Sequence, residues 1–392
     1  MILERDFRVE GKTMRHSFLV TAWILWLLAH AARLIFSPVL PLIEDELGIS
    51  HAQAGRFFIF LTIGYCGSLF SVPFWSRTFG YRRTLEIALV ILTVTLLLMR
   101  WAPGVAAISA VAFGIGLATG TILPSAISLL TTAYRKEQWG MRIAVFDSAA
   151  PAGQLVAPML AVAVLSAFSW RYVFWAMAAV SVLVLGMVFA TAPEEEPAAD
   201  QPRGSIAVVR KSRSLVTLTG LWILASAASL GVGFLVPVYL VKERGMTLTA
   251  ANQIFATGRG LSILAAVSAG FLADRFTCRS LLGWILAVSG VGLFGIALWP
   301  ENVGVGIWVI VEGLVANMFF PVGLILIARL TAAGVRGVAT GLVIGAGAAL
   351  GFGVTPWVLG AVADVWNFRA GIAVLGGMVL LASLAVRRIE RL

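Results

Sequence analysis

Apolar stretches of about 20 residues or more recur along this chain, separated only by short polar punctuation. A helix needs about 20 consecutive apolar residues to cross the hydrocarbon core of a bilayer. Cut at charges and turn formers, the runs fall at 16–41, 52–75, 82–101, 104–131, 138–165 and 169–191, then at 214–241, 248–273, 279–299, 302–330, 336–361 and 367–387. The spacing therefore predicts an all-α membrane protein of twelve transmembrane helices. Only 12% of the 392 residues are charged, where a soluble domain carries about 25%. Hydrocarbon as solvent removes the need for that charge.

The segment 193–213 breaks the pattern, being charged and Pro-containing and lying near the midpoint. It reads as a linker between a six-helix bundle at 1–192 and another at 214–392. Around Ile206–Ser214 an amphipathic stretch with Arg210, Lys211 and Arg213 is expected to lie on the inner leaflet. If the N-terminus is cytoplasmic, 21 of the 29 Lys and Arg residues fall on the cytoplasmic side and six on the other. That bias fits the positive-inside rule and puts both termini in the cytoplasm of an inner-membrane protein. The net charge of +10 is split into short clusters rather than one basic face, so nucleic acid is not an expected partner. Two cysteines, Cys66 and Cys278, give no disulfide framework and no metal spacing. No Walker stretch or Ser-His-Asp set occurs, so neither ATP-driven transport nor an enzyme is expected, and no cofactor beyond a proton gradient.

Ionisable groups inside a span cost about 2.5–3.5 kcal/mol on insertion scales and are functional candidates by default. Arg33, Asp147, Arg259 and Glu312 are such groups. Arg33 and Arg259 sit roughly 12–17 Å from the outer end at 1.5 Å per residue, at similar depth in opposite halves. Two guanidiniums so placed can clamp a small organic anion bidentately, or each can pair permanently with a carboxylate. Glu312 lies near the depth of Arg259, as a static salt-bridge partner or as the proton-coupling group. Asp147 is a second proton site or a local hydrogen-bond acceptor. His30 shares a helix face with Arg33, and Asn317 and Gln154 are expected to line the cavity or to bond between helices.

Between spans eight and nine stands Gly270-Phe-Leu-Ala-Asp274-Arg275-Phe-Thr-Cys-Arg279, and the first half keeps Gly80, Arg82 and Arg83 with Arg77 in place of the acid. These loops, with Gly153-Gln-Leu-Val-Ala157-Pro158 and Gly351-Phe-Gly-Val-Thr355-Pro356 in matching spans, resemble the major facilitator superfamily of secondary transporters. The resemblance implies two pseudo-symmetric bundles, alternating access to a central site, and a monomer. It implies that Asp274, Arg275, Arg279 and Arg142 form a cytoplasmic gate, held mainly from the second half because Arg77 replaces the acid. Three readings stay open: a proton-coupled carrier of a small organic anion, a multidrug-type proton antiporter for a lipophilic compound, and a membrane sensor that no longer transports.

Overall fold

The computed structural model describes residues 2–135, 138–194, 212–331 and 333–389, with the backbone alone at 2–16, 140, 266, 267, 270, 274 and 333–338. Most of the linker at 193–213, including the amphipathic stretch up to residue 211, lies outside the described residues. Among those residues the structure is helical with no strand, and ten stretches are long and apolar enough to cross a membrane. One of them, His51–Trp101, runs for 51 residues and holds two of the predicted spans, because its helix is interrupted at Gly80 (φ 76°, ψ 165°). That left-handed φ is open to glycine at little cost. The 28-residue helix Leu248–Arg275 is the remaining predicted span. The described helices thus account for the twelve.

In chain order the helices are α1 (Ile2–Leu34), α2 (Leu40–Leu47), α3 (His51–Leu98), α4 (Val105–Gly120), α5 (Ile122–Ala133), α6 (Trp139–Asp147), α7 (Ala149–Leu165) and α8 (Arg171–Thr191). Then follow α9 (Arg213–Ser226), α10 (Val236–Lys242), α11 (Leu248–Arg275), α12 (Cys278–Leu298), α13 (Asn302–Asn317), α14 (Phe319–Leu330), α15 (Ala333–Ala346), α16 (Thr355–Val365) and α17 (Phe368–Ala385). Several spans consist of two helices in line, and proline chemistry explains where they divide. A proline lacks the N–H that would bond the carbonyl four residues back. Pro124, Pro151 and Pro321 thereby leave the carbonyls of Gly120, Asp147 and Asn317 without their helical donor, and α4, α6 and α13 end at those residues. Two further spans contain π-helical turns, Ala227–Gly231 and Gly347–Val354, a geometry that gathers at functional positions.

The chain packs as two compact units, Met1–Ile35 with Ile63–Asp200, and Phe36–Thr62 with Gln201–Leu392. In the first, α1 packs on α7 so closely that a Cβ on Gly153 would lie 2.3 Å from the Leu27 carbonyl oxygen. In the second, the hairpin 36–62 is fastened to later helices. Pro237 strips the Gly233 carbonyl of its helical donor, and the Ser37 hydroxyl donates to it instead at 3.1 Å. Asn252 donates to the Pro38 carbonyl at 3.1 Å, and Phe58 stacks on Phe234 at 4.3 Å. At the hairpin's tip, Asp364 accepts the His51 and Ala52 backbone N–H groups at 2.9 and 3.0 Å, capping the start of α3. His51 also meets Glu44 at 3.0 Å, and Lys242 pairs with Asp45.

Candidate functional site

In the first unit three residues of α1 form one stripe. Trp26, His30 and Arg33 stand four and three residues apart, so they share a helix face. Trp26 is 3% exposed and joins the group together. Its indole N–H donates to Asp147 Oδ1 at 3.2 Å, its ring stacks on Phe146 at 5.4 Å, and His30 meets its edge at 4.2 Å. His30 Nδ1 donates to the Trp26 carbonyl at 3.1 Å, which fixes that nitrogen as the protonated one.

Arg33 sits against two aromatic faces, its Cζ 5.4 Å from Trp26 and 4.9 Å from Tyr65 of α3. Such contacts contribute about 0.5–2 kcal/mol each. Nε donates to the Ala29 carbonyl at 3.2 Å. Nη2 is buried and makes no hydrogen bond, and among the described residues no carboxylate comes within ion-pair distance of this guanidinium. A buried donor left unmade costs about 1–3 kcal/mol. Asp147 ends α6 at the proline break and is solvent-exposed. Trp26, seven residues before Arg33, thus links it to an acid that sequence depth alone separates from it. Gln154 is buried in α7 beside Gly153.

The second unit holds a different arrangement around Arg259. This side chain is 2% exposed, its Nη2 donates to the Ser229 carbonyl at 2.9 Å, and its Cζ lies 4.9 Å from the Phe255 ring. Ser229 belongs to the π turn Ala227–Gly231, whose geometry offers that carbonyl. Gly233 makes room: a Cβ there would lie 1.9 Å from Nη2. Glu312, buried in α13, accepts from the Ser289 hydroxyl of α12 at 3.2 Å and interacts electrostatically with Arg259. Asn317 donates to the Gly313 carbonyl at 2.7 Å and accepts from the Ser229 hydroxyl at 3.4 Å. Ser229 therefore joins Arg259 to Asn317, and Glu312, held by Ser289, meets Arg259 electrostatically.

Of the residues expected to form a gate, the Asp274 carboxylate lies outside the described side chains. Arg275 stacks on Phe271 at 4.3 Å and Arg142 on Tyr134 at 5.0 Å. Arg279 Nη2 donates to the Arg387 carbonyl at 2.7 Å. In the first half, Arg82 does the equivalent toward the Phe189 carbonyl at 3.0 Å and also pairs with Glu86 at 3.1 Å. Both loops thus tie the third span of their half to its last.

A sequence model of the Major Facilitator Superfamily matches residues 22–311. The chain belongs to this superfamily. It is an integral, multi-pass membrane protein and a secondary transporter of small molecules. The transporter is 24% identical over 184 residues to the "Probable sulfoacetate transporter SauU" of Cupriavidus necator, a match that covers 46% of this chain and 43% of that protein. To the "Multidrug resistance protein MdtG" of Serratia proteamaculans it is 23% identical over 305 residues, 73% of each. In fold it resembles a bacterial homolog of the human lysosomal transporter Spinster (TM-score 0.83, 14% identity, 96% of this chain and 98% of that one). A D-xylose-proton symporter matches equally in fold (TM-score 0.83, 16% identity, again 96% and 98%).

Trp26, Tyr65, Ser229 and Ser289 complete these two sites and are not singled out by sequence reasoning. Trp26 has a sequence signal, its place on the stripe of His30 and Arg33. The others have none, since their neighbours are remote in the chain.

Proposed function

We propose that this secondary transporter carries a small organic anion coupled to protons, and that the Arg33 cluster receives the anion. The observation that carries the reading is the buried, unpartnered Nη2 of Arg33, held by Trp26 and Tyr65 with no neutralising acid in ion-pair distance among the described residues. A carboxylate, sulfonate or phosphate accepting from that nitrogen would satisfy the donor, and the guanidinium fork suits such oxygens. Trp26 orients both the cation and Asp147, which is exposed and serves as a proton acceptor. Likeness to a probable transporter of sulfoacetate, a small organic anion, supports this substrate class.

In the second unit, Glu312 and Arg259 form the coupling pair. Protonating Glu312 removes the charge that balances Arg259, and the change reaches the π turn through Ser229. Asn317 and Gln154 contribute hydrogen bonds beside these groups. No cofactor other than the proton gradient is needed, and the gate arginines Arg142, Arg275 and Arg279 face the cytoplasm, with both termini, in an inner membrane.

Thermal stabilisation of the purified transporter by small carboxylates, sulfonates and phosphates, set beside lipophilic cations, tests the reading. Stabilisation by an anion that Arg33→Ala abolishes supports it. Stabilisation by lipophilic cations alone, unaffected by Arg33→Ala, favours a multidrug antiporter. The MdtG likeness supports that second reading, as does the aromatic wall of Trp26, Phe146 and Tyr65. Anion-driven proton movement in liposomes separates either carrier from a sensor that does not transport.

A further inference from the structure

A cavity of about 720 Å³ opens in the second unit where α12 begins and α14 and α17 end. Its polar wall carries Arg279, Arg329 and Arg387, and among the described residues no acid lines it. Arg279 gives one N–H to the Arg387 carbonyl, which ties the start of α12 to the end of α17, and all three arginines line the one basin. Arg329 and Arg387 are exposed. Thr277, Ser280 and Ser383 add hydroxyls to the wall, and its apolar part is exposed: Trp284, at 69%, and Leu384, at 56%, line the cavity along helices long enough to span a membrane. Trp284 stands six residues into α12, roughly 9 Å along its axis, the depth at which an indole prefers the membrane interface.

Three cations, no acid among the described residues, and an exposed apolar track of Trp284 and Leu384 match an amphiphile with an anionic head. We propose that this cavity binds the head group of an anionic phospholipid, its phosphate among Arg279, Arg329 and Arg387 and its acyl chain along Trp284 and Leu384. A volume in this range holds a small-molecule ligand. The shared chemistry is a phosphate, which a free phosphate ester could also supply. The exposed Trp284 and Leu384 argue for the lipid, because a soluble ester leaves that track unused.

Native mass spectrometry of the whole transporter, titrated with phosphatidylglycerol, phosphatidylcholine and glycerol phosphate, tests the proposal. Each arginine near an anionic lipid contributes about a fivefold change in affinity. The Arg329→Gln/Arg387→Gln double variant should therefore bind phosphatidylglycerol at least tenfold more weakly than wild type, with phosphatidylcholine weak in both. Both side chains are exposed, so the fold tolerates the change. As a local readout, brominated-chain phosphatidylglycerol should quench a tryptophan signal that Trp284→Phe removes. Equal retention of phosphatidylglycerol by wild type and double variant, or quenching unchanged in Trp284→Phe, overturns the site. Displacement of the lipid by glycerol phosphate at similar concentration overturns the lipid in favour of a soluble phosphate ester.

Discussion

Arg33 and Arg259 are both arginines of apolar helices, the first half-buried and the second buried, yet their surroundings differ. Arg259 ends on a backbone carbonyl supplied by a π turn, in a space kept clear by Gly233, with Glu312 in electrostatic reach. Arg33 ends on a nitrogen that the protein leaves unmade, between two aromatic rings. A guanidinium with its own carbonyl and counter-charge is built into the fold. One that keeps a buried donor open costs stability, a cost that the anion of the proposed reading would offset.

The contrast is most exposed at Arg259. Arg259→Ala leaves Glu312 buried and uncompensated, which should destabilise the protein by about 3–5 kcal/mol in denaturation of the detergent-solubilised transporter. Arg259→Met with Glu312→Leu should recover most of that loss. If Arg259→Ala instead keeps full stability and abolishes ligand binding, the two arginines share one role and the contrast fails. Arg33→Met should behave oppositely, leaving stability unchanged or raising it by up to about 1–3 kcal/mol. Anion affinity, read by isothermal titration, should fall by about 10–100-fold, since a hydrogen bond to a charged group contributes about 1.5–3 kcal/mol. A smaller effect sharpens the role of the indole: Trp26→Phe keeps the ring but removes the donor to Asp147. It should cost about fivefold in affinity, near 1 kcal/mol for one hydrogen bond, and an unchanged value would make the Trp26–Asp147 contact incidental. Ser289→Ala, which removes a single neutral donor to Glu312 while Arg259 remains, should shift stability by about 0.5–1.5 kcal/mol and leave anion affinity unaltered.

The count of spans could be read from hydropathy, because hydrocarbon imposes a length on each crossing. The expense of charge in that solvent drew attention to Arg33, Asp147, Arg259 and Glu312. Their neighbours were harder to foresee. Trp26 shares the stripe of His30 and Arg33, but its bond to Asp147 joins positions 121 residues apart. The helix breaks were written in the sequence as prolines four residues beyond Gly120, Asp147 and Asn317. That rule concerns the backbone and places Asp147 and Asn317 at helix ends. The π turns carry no comparable mark, since their Ala, Gly and Ser residues suit an ordinary helix as well. Nor could the fastening of residues 36–62 to Asp364, Gly233 and Phe234 be foreseen, because only the folded chain makes those residues neighbours.

The π turn at Ala227–Gly231 holds a residue more than an α turn of the same height. Each α-helical residue advances about 100° around the axis, so absorbing the surplus into α geometry would swing whatever lies beyond it through about that angle. The Ser229 carbonyl would then leave Arg259. The span that carries it thus has a built-in phase offset, one residue wide, whose position is read out by a single hydrogen bond to a buried cation.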